Sequence, residues 1–228
     1  MNNIIELKNL SKFYEAKKKI KVLNNINFKF NKGKIYSLVG PSGSGKSTLL
    51  NLISLIDVPS RGKIKINNQD VNFNQKKKND IIRAKKIGII YQEKNLLQDF
   101  TAIENVYLAR LAIDNRKYKA LEDSKKIIKK VGLINRINHY PSQLSGGEAQ
   151  RIAISRALIN SPEIILADEP TGSLDHKNSK DIFKLLFKLK NKDRIIIFAT
   201  HNRFFAKMAD YNIQLVDGKI KNINGKIK

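Results

Sequence analysis

The sequence predicts an α/β layered fold with a helical lobe inserted into it, and three observations carry that expectation. Residues 35–39, 87–91, 164–167, 195–199 and 213–216 are short apolar runs that read as strands. Several are apolar on both faces, as parallel strands are when helices cover a sheet. Between the last strands, Ile182, Leu185, Leu186 and Leu189 recur at i, i+3, i+4 and i+7, one face of a helix. The middle of the chain differs: residues 120–131 and 148–159 are helical in pattern, and no strand is evident from about residue 93 to 160.

At the start of the chain, the first 35 residues and residues 62–73 alternate in polarity as antiparallel strands do, with Gly33 and Asn67-Asn68 at turns. The expected organisation is a single domain over 1–228. An α/β core with an antiparallel β subdomain takes 1–92 and 160–228, and an α-helical subdomain takes 93–159. A chain of 228 residues and 26.0 kDa suits one sizeable core.

Composition narrows the function. A hydrophobic fraction of 41% with 28% charged residues excludes wholesale disorder. The absence of Cys excludes disulfides, thiolate metal sites and a Cys nucleophile, and fits a reducing compartment. No window approaches the ~18 apolar residues of a membrane span, and residues 1–6 lack a secretory pattern, so a membrane role needs a partner chain. The net charge of +24 invites an anionic partner. A second reading is AT-rich coding, which favours Lys, Asn and Ile; the Lys residues are spread over the whole chain and form no single arm.

Gly40-Pro41-Ser42-Gly43-Ser44-Gly45-Lys46-Ser47 fits G-x-x-x-x-G-K-[ST], after a predicted strand and ahead of an apolar helix that opens at Thr48. Glycines let successive N–H groups turn toward a phosphate chain, and the helix start adds partial positive charge. Lys46 can reach the outer phosphates and Ser47 can ligate Mg²⁺. Asp168-Glu169 end an apolar strand: Asp168 suits the Mg²⁺ shell and Glu169 a base acting on water, although two acids after a strand also serve as an N-cap pair. Ser145-Gly146-Gly147 precede a helix, where they either present backbone donors to phosphate or simply cap it with Ser; the residues alone leave both open.

These motifs, in this order, resemble the ABC transporter ATPases. Leu144-Ser145-Gly146-Gly147-Glu148 is similar to that family's signature motif, Gln92 to its Q-loop glutamine, Pro170 to Asp175 to its D-loop, His201 to its switch histidine, and Tyr14 to the aromatic that stacks on adenine. The resemblance covers essentially the whole chain and implies a P-loop NTPase (RecA-like) core with ATP and Mg²⁺ as cofactors. It implies nucleotide contacts from Tyr14, Gly40 to Thr48, Gln92, Ser145, Gly146, Gly147, Asp168 and Asp175. Ser47, Gln92 and Asp168 would hold the metal, and Lys46, Glu169 and His201 would be catalytic.

It further implies a homodimer of ATPase subunits joined head to tail, so that Ser145, Gly146 and Gly147 of one copy face the γ-phosphate held by Lys46 of the other. The partners implied are integral-membrane transporter subunits, the location is peripheral on the cytoplasmic side of the inner membrane, and no specific nucleic acid is expected. Residues 96–106 and 139–144 resemble the family's lipoprotein-releasing group, with cell-division and macrolide-exporter ATPases as relatives. The exporters carry their own membrane domain, which this chain is expected to lack. Nucleic-acid-associated members usually have a second ATPase domain, a coiled coil or Cys clusters, none of which occurs here. Two positions depart from the pattern: Ala149 stands where Gln or Arg is usual, and Asn202 where Asp is usual. Neither supplies a phosphate-facing group.

Overall fold

In chain order the elements are β1 (Asn3–Glu15), β2 (Lys19–Asn31), β3 (Ile35–Val39), α1 (Lys46–Ile53), β4 (Arg61–Ile66), β5 (Gln69–Asp70) and α2 (Lys76–Lys86). There follow β6 (Ile87–Ile90), α3 (Ala102–Leu111), α4 (Lys117–Lys130), α5 (Gly146–Leu158), β7 (Ile164–Asp168) and α6 (His176–Lys188). The chain closes with β8 (Ile195–Ala199), α7 (Arg203–Met208), β9 (Tyr211–Val216) and β10 (Lys219–Gly225). The computed structural model describes residues 3–15 and 19–225. Contacts divide the chain into two compact units: the described residues up to Asp80 and from Lys190 onward form the first, and Ile81–Leu189 the second.

In the first unit, β1 and β2 form a long antiparallel ribbon, and β4 and β5 extend it to the order β2-β1-β4-β5. Ile5 and Leu7 are buried at alternate positions of β1; left-handed residues at Asn9 and Asn25 (φ 49° and 52°) then break the alternation, and Leu10, Leu23 and Ile26 are buried as well. The β4–β5 hairpin turns on Asn67 and Asn68, both left-handed at φ 50° and 64°, the geometry a two-residue hairpin loop needs. Strand β3 lies between β8 and β9, parallel to both, and β10 pairs antiparallel with β9. All five residues of β8 are buried, which explains its uninterrupted apolar run. Under the sheet, Phe30 meets Tyr36 edge to face at 4.9 Å, and Tyr36 stacks on Tyr211 at 5.2 Å. The Tyr36 hydroxyl accepts from the Asn31 N–H at 2.8 Å.

In the second unit β6 and β7 are parallel, and helices form the rest. Ala102, Val106, Ile128 and Ile152, all fully buried, centre the core shared by α3, α4 and α5. Helix α3 was not evident from periodicity. Its start is fixed by a capping box, in which the Glu104 N–H donates to Thr101 and the Glu104 carboxylate accepts from the Thr101 N–H. Buried Asn105 accepts from the Leu97 N–H and donates to the carbonyls of Leu97, Phe100 and Thr101, so it shapes the segment ahead of its own helix. Helix α5 crosses β6 so closely that a Cβ on Gly88 would stand 2.4 Å from the Ala157 carbonyl oxygen. Helix α2 was likewise not evident: it is Lys-rich, and Asn79 is its only fully buried residue among those described.

Candidate functional site

Two groups of residues, one in each unit, carry the chemistry. In the first unit the loop from Gly40 to Gly45 leaves β3 and turns into α1. Gly40, Gly43 and Gly45 have φ of 155°, 75° and 99°. At Gly40 the constraint is also steric, because a Cβ there would stand 2.1 Å from the Leu215 carbonyl oxygen. Around Gly43 nothing lies within 4 Å of a built Cβ. The buried Lys46 side chain folds back over the loop and donates to the Gly40 and Pro41 carbonyls at 2.9 and 3.0 Å. Beside it, the Ser44 hydroxyl is buried with no hydrogen-bond partner among the described residues. A polyphosphate oxygen fits that need, and the loop supplies backbone donors, a cation and a helix start. Ser47 is exposed at the first turn of α1, and Thr48 follows it half-buried.

Tyr14, on β1, is 42% exposed. Its hydroxyl donates to Asp57 at 2.9 Å, and Lys12 stands 4.8 Å from its ring centre while also donating to Asp57 at 2.6 Å. Partial burial, then the Asp57 carboxylate, raise the phenol above its ordinary value, against a hydrogen bond with Thr48 that lowers it. That link brings Tyr14 to the helix that follows the phosphate loop. The Lys12–Asp57 pair behind the ring was not evident from sequence.

His201 follows β8 and is exposed. It lines an open cleft of about 590 Å³ together with Gly40, Pro41, Arg203 and Lys207. Asn202 is the N-cap of α7, accepting from the Phe204 and Phe205 N–H groups at 2.9 and 3.4 Å. Its amide oxygen makes the contacts an Asp would make, which accounts for the departure noted above.

In the second unit, Asp168 ends β7 and Glu169 follows with φ 43°, a left-handed backbone uncommon for this residue type. The turn is closed by the Gly172 N–H donating to the Glu169 carbonyl at 3.0 Å. Gln92, just past β6, is exposed and lies against that turn: a Cβ on Gly172 would stand 2.9 Å from its amide nitrogen. Asp175 is the N-cap of α6 and accepts from the Asn178 N–H at 3.0 Å, a bond that holds its carboxyl below the usual range.

Ser145 is the N-cap of α5 in a full capping box with Glu148, so the capping reading of that motif holds in the structure. Gly147 is required on steric grounds as well, since a Cβ would stand 2.6 Å from the Asn178 amide oxygen. The signature segment is thereby packed against the residue that binds Asp175. Ala149, the second departure, is buried in the helical core, at the wall of an open pocket that Leu96, Leu144 and Gly146 also line.

Two residues of α5 that sequence reasoning missed hold the segment after β6 to that helix. Gln150 donates to the Tyr91 carbonyl at 3.3 Å, and Arg156 donates to those of Asn95 and Lys94 at 2.6 and 2.9 Å. Lys94 in turn donates to Ser173 at 3.1 Å. None belongs to a recurrent motif, so spacing alone gave no signal for them. Of the residues expected at the metal, Ser47 belongs to the first unit and Gln92 and Asp168 to the second. Among the described residues no cluster of three or more His, Cys, Asp or Glu forms a metal site. Hydroxyl, amide and carboxylate oxygens such as those of Ser47, Gln92 and Asp168 are the kind of ligand that Mg²⁺ takes.

Comparison with known proteins agrees with this arrangement. The family model described as ABC transporter matches residues 23–172. The lipoprotein-releasing system ATP-binding protein LolD of Rickettsia bellii is 43% identical over 221 residues, covering 96% of this chain and 98% of that protein. An uncharacterised ABC transporter ATP-binding protein of Methanocaldococcus jannaschii, MJ1508, is 42% identical over 224 residues, covering 98% and 100%. A solved structure, the dimeric post-hydrolysis state of the ATP-binding cassette MJ0796 bound to ADP and Pi, superposes with a TM-score of 0.91 at 36% identity, covering 99% of this chain and all of that one. With a phosphate loop, a capped signature helix and a left-handed Glu after the acidic strand in place, the chain belongs to the ABC transporter family as an ATP-binding and ATP-hydrolysing subunit.

Proposed function

We propose that this ATPase powers the release of lipoproteins from the inner membrane, acting as two copies joined head to tail beneath integral-membrane subunits of the LolC and LolE kind. The relatives named LolD support the cargo, and the dimeric cassette structures support the pairing. No helix among the described residues is long and apolar enough to cross a membrane, and the likeness to the LolD proteins is what supports a peripheral place on the cytoplasmic side of the inner membrane. Residues 93–159 would form the helical subdomain that meets the membrane subunits, and 1–92 with 160–228 the catalytic core.

The observation that carries the reading is the phosphate loop, with its buried Lys46 ammonium and partnerless Ser44 hydroxyl. Tyr14 would stack on adenine, and the residues from Gly40 to Thr48 would wrap the phosphates. Mg²⁺, when bound, neutralises charge on the outer phosphate oxygens. Ser47, Asp168 and Gln92 are the side chains that would hold it. Glu169 would take a proton from the attacking water as the new P–O bond forms and the bond to the β-phosphate breaks, releasing ADP and phosphate. His201 would steady the γ-phosphate, and Asp175 would lie at the dimer interface. Ser145, Gly146 and Gly147 from the second copy would complete the electrostatic cage, so hydrolysis waits for closure.

The test is the Glu169→Gln variant, which removes the base while keeping size and polarity. Light scattering should show a dimer with ATP that disappears when Lys46→Ala is added. A species that stays monomeric at low salt with ATP bound overturns the head-to-tail pairing. The cargo is tested separately, by lipoprotein release from vesicles carrying the co-purified membrane subunits; absence of ATP-dependent release overturns that part alone.

A further inference from the structure

The geometry points to the outer face of α4 as a docking surface for anionic lipid headgroups. This helix buries Ala120, Ser124 and Ile128 against the helical core. The opposite face is therefore turned to solvent, and it carries Lys119, Lys125, Lys126, Lys129 and Lys130, all exposed, with Tyr118 80% exposed at its start. Lys125 and Lys129, and Lys126 and Lys130, stand one turn apart in two adjacent rows.

Neighbouring acids do little to offset this charge. Asp123 is engaged by Arg110 at 3.4 Å, and Asp114 by Arg116 at 2.6 Å. Glu122 is the acid that remains on the exposed face. None of the five lysines has a carboxylate within 4.0 Å among the described residues. A helix end also attracts cations at its C-terminus, which helps to hold Lys129 and Lys130 there.

The chemistry of the face selects its occupant. Lysines are flexible point charges, suited to a fluid layer of anionic headgroups, whereas fixed phosphates in a nucleic acid are read best by the planar fork of Arg. The face offers no free Arg, since Arg116 is bound to Asp114. It is the outer side of a helix, with one exposed aromatic ring whose apolar body and polar tip suit the headgroup zone. This inference rests on the membrane-side reading proposed above and adds a direct lipid contact that needs no partner protein.

The experiment is vesicle co-sedimentation of the full chain, without ATP or membrane subunits, on pure phosphatidylcholine and on mixtures with about 30% phosphatidylglycerol. The wild type should bind the anionic vesicles and release them at about 0.5 M salt. Replacing Lys125, Lys126, Lys129 and Lys130 by Gln should weaken binding at least about tenfold. A control with the same charge change, Lys180, Lys184, Lys188 and Lys192 to Gln, should bind nearly as the wild type does.

Equal losses in the two variants would mean net charge alone drives binding, and would overturn the proposal. So would retention by the α4 variant, or failure of the wild type to bind. Duplex DNA that binds more tightly than the vesicles and displaces them would reassign the face to nucleic acid. ATPase activity of both variants reports that they fold. It also separates the two ideas, since failed lipid binding with intact ATP-driven dimerisation sinks only the lipid contact.

Discussion

The Arg156 guanidinium donates to the Asn95 carbonyl oxygen at 2.6 Å, across the gap between helix α5 and the segment that carries Gln92. The same group reaches the Lys94 carbonyl, and burial pushes its pKa below the ordinary Arg value. An ionic donor kept at a desolvation cost and spent on main-chain carbonyls fixes a loop in place. Arg156 thereby ties helix α5 to the segment just after Gln92.

Arg156→Met keeps the apolar stem and leaves both carbonyls unpaired. The expected loss is about 1–3 kcal/mol, which calorimetry would read as a fall in Tm of several degrees. Gln92 would also be less well placed, so kcat should fall more than nucleotide affinity.

Gly40 and Gly43 share a left-handed backbone but not their surroundings, and alanine at each separates the two effects. Gly43→Ala meets open space and should cost about 1 kcal/mol from φ alone. Gly40→Ala drives a methyl into the Leu215 carbonyl, so the loop or strand β9 must move. Nucleotide binding, followed with a fluorescent ADP, should survive the first change and be lost in the second.

Asn202 should tolerate Asp and not Ala. Removing the cap leaves the Phe204 and Phe205 N–H groups without their acceptor, a loss of about 1 kcal/mol. Because His201 is the preceding residue, Asn202→Ala should also lower kcat with little change in nucleotide affinity, and Asn202→Asp should leave both near wild type.

Tyr36 predicts alkaline sensitivity. Burial pushes its phenol up to about 12, so the native state holds the proton more tightly than the unfolded chain. The stability it contributes is complete below the ordinary Tyr value of about 10 and is lost as pH rises toward 12. Denaturant unfolding at several pH values would show this decline. Tyr36→Phe should flatten it, while lowering stability at neutral pH by about 1–3 kcal/mol because the Asn31 N–H loses its acceptor.

What could be read from the sequence follows from how each element earns its stability. Strands β3 and β8 have the bounds their apolar runs predicted, because parallel strands covered on both faces are mostly apolar, and the one small polar residue in β3, Ser37, finds a partner in the Ala206 carbonyl. The Asn67-Asn68 turn was legible because two left-handed residues in a row favour Asn. Helix α2 was not, since it presents hardly any apolar face. Helix α3 was hidden too, being apolar around most of its surface, although Thr101 and Glu104 marked its start. Among the positions singled out in sequence, the structure gives a local reason for glycine at Gly40 and for a capping side chain at Ser145 and Asp175. The supports, Arg156, Asn105 and the Lys12–Asp57 pair, act through main-chain carbonyls or a distant partner, and no local pattern announces such contacts.

Glu169 sits at φ 43°, where glycine would rest without strain. With Glu169 as the base proposed above, stability and turnover pull this position in opposite directions. A library selected only for heat resistance should enrich glycine there and return sturdier proteins that have lost the carboxylate of the proposed base. Directed evolution of this chain toward thermostability therefore needs an ATPase screen in every round.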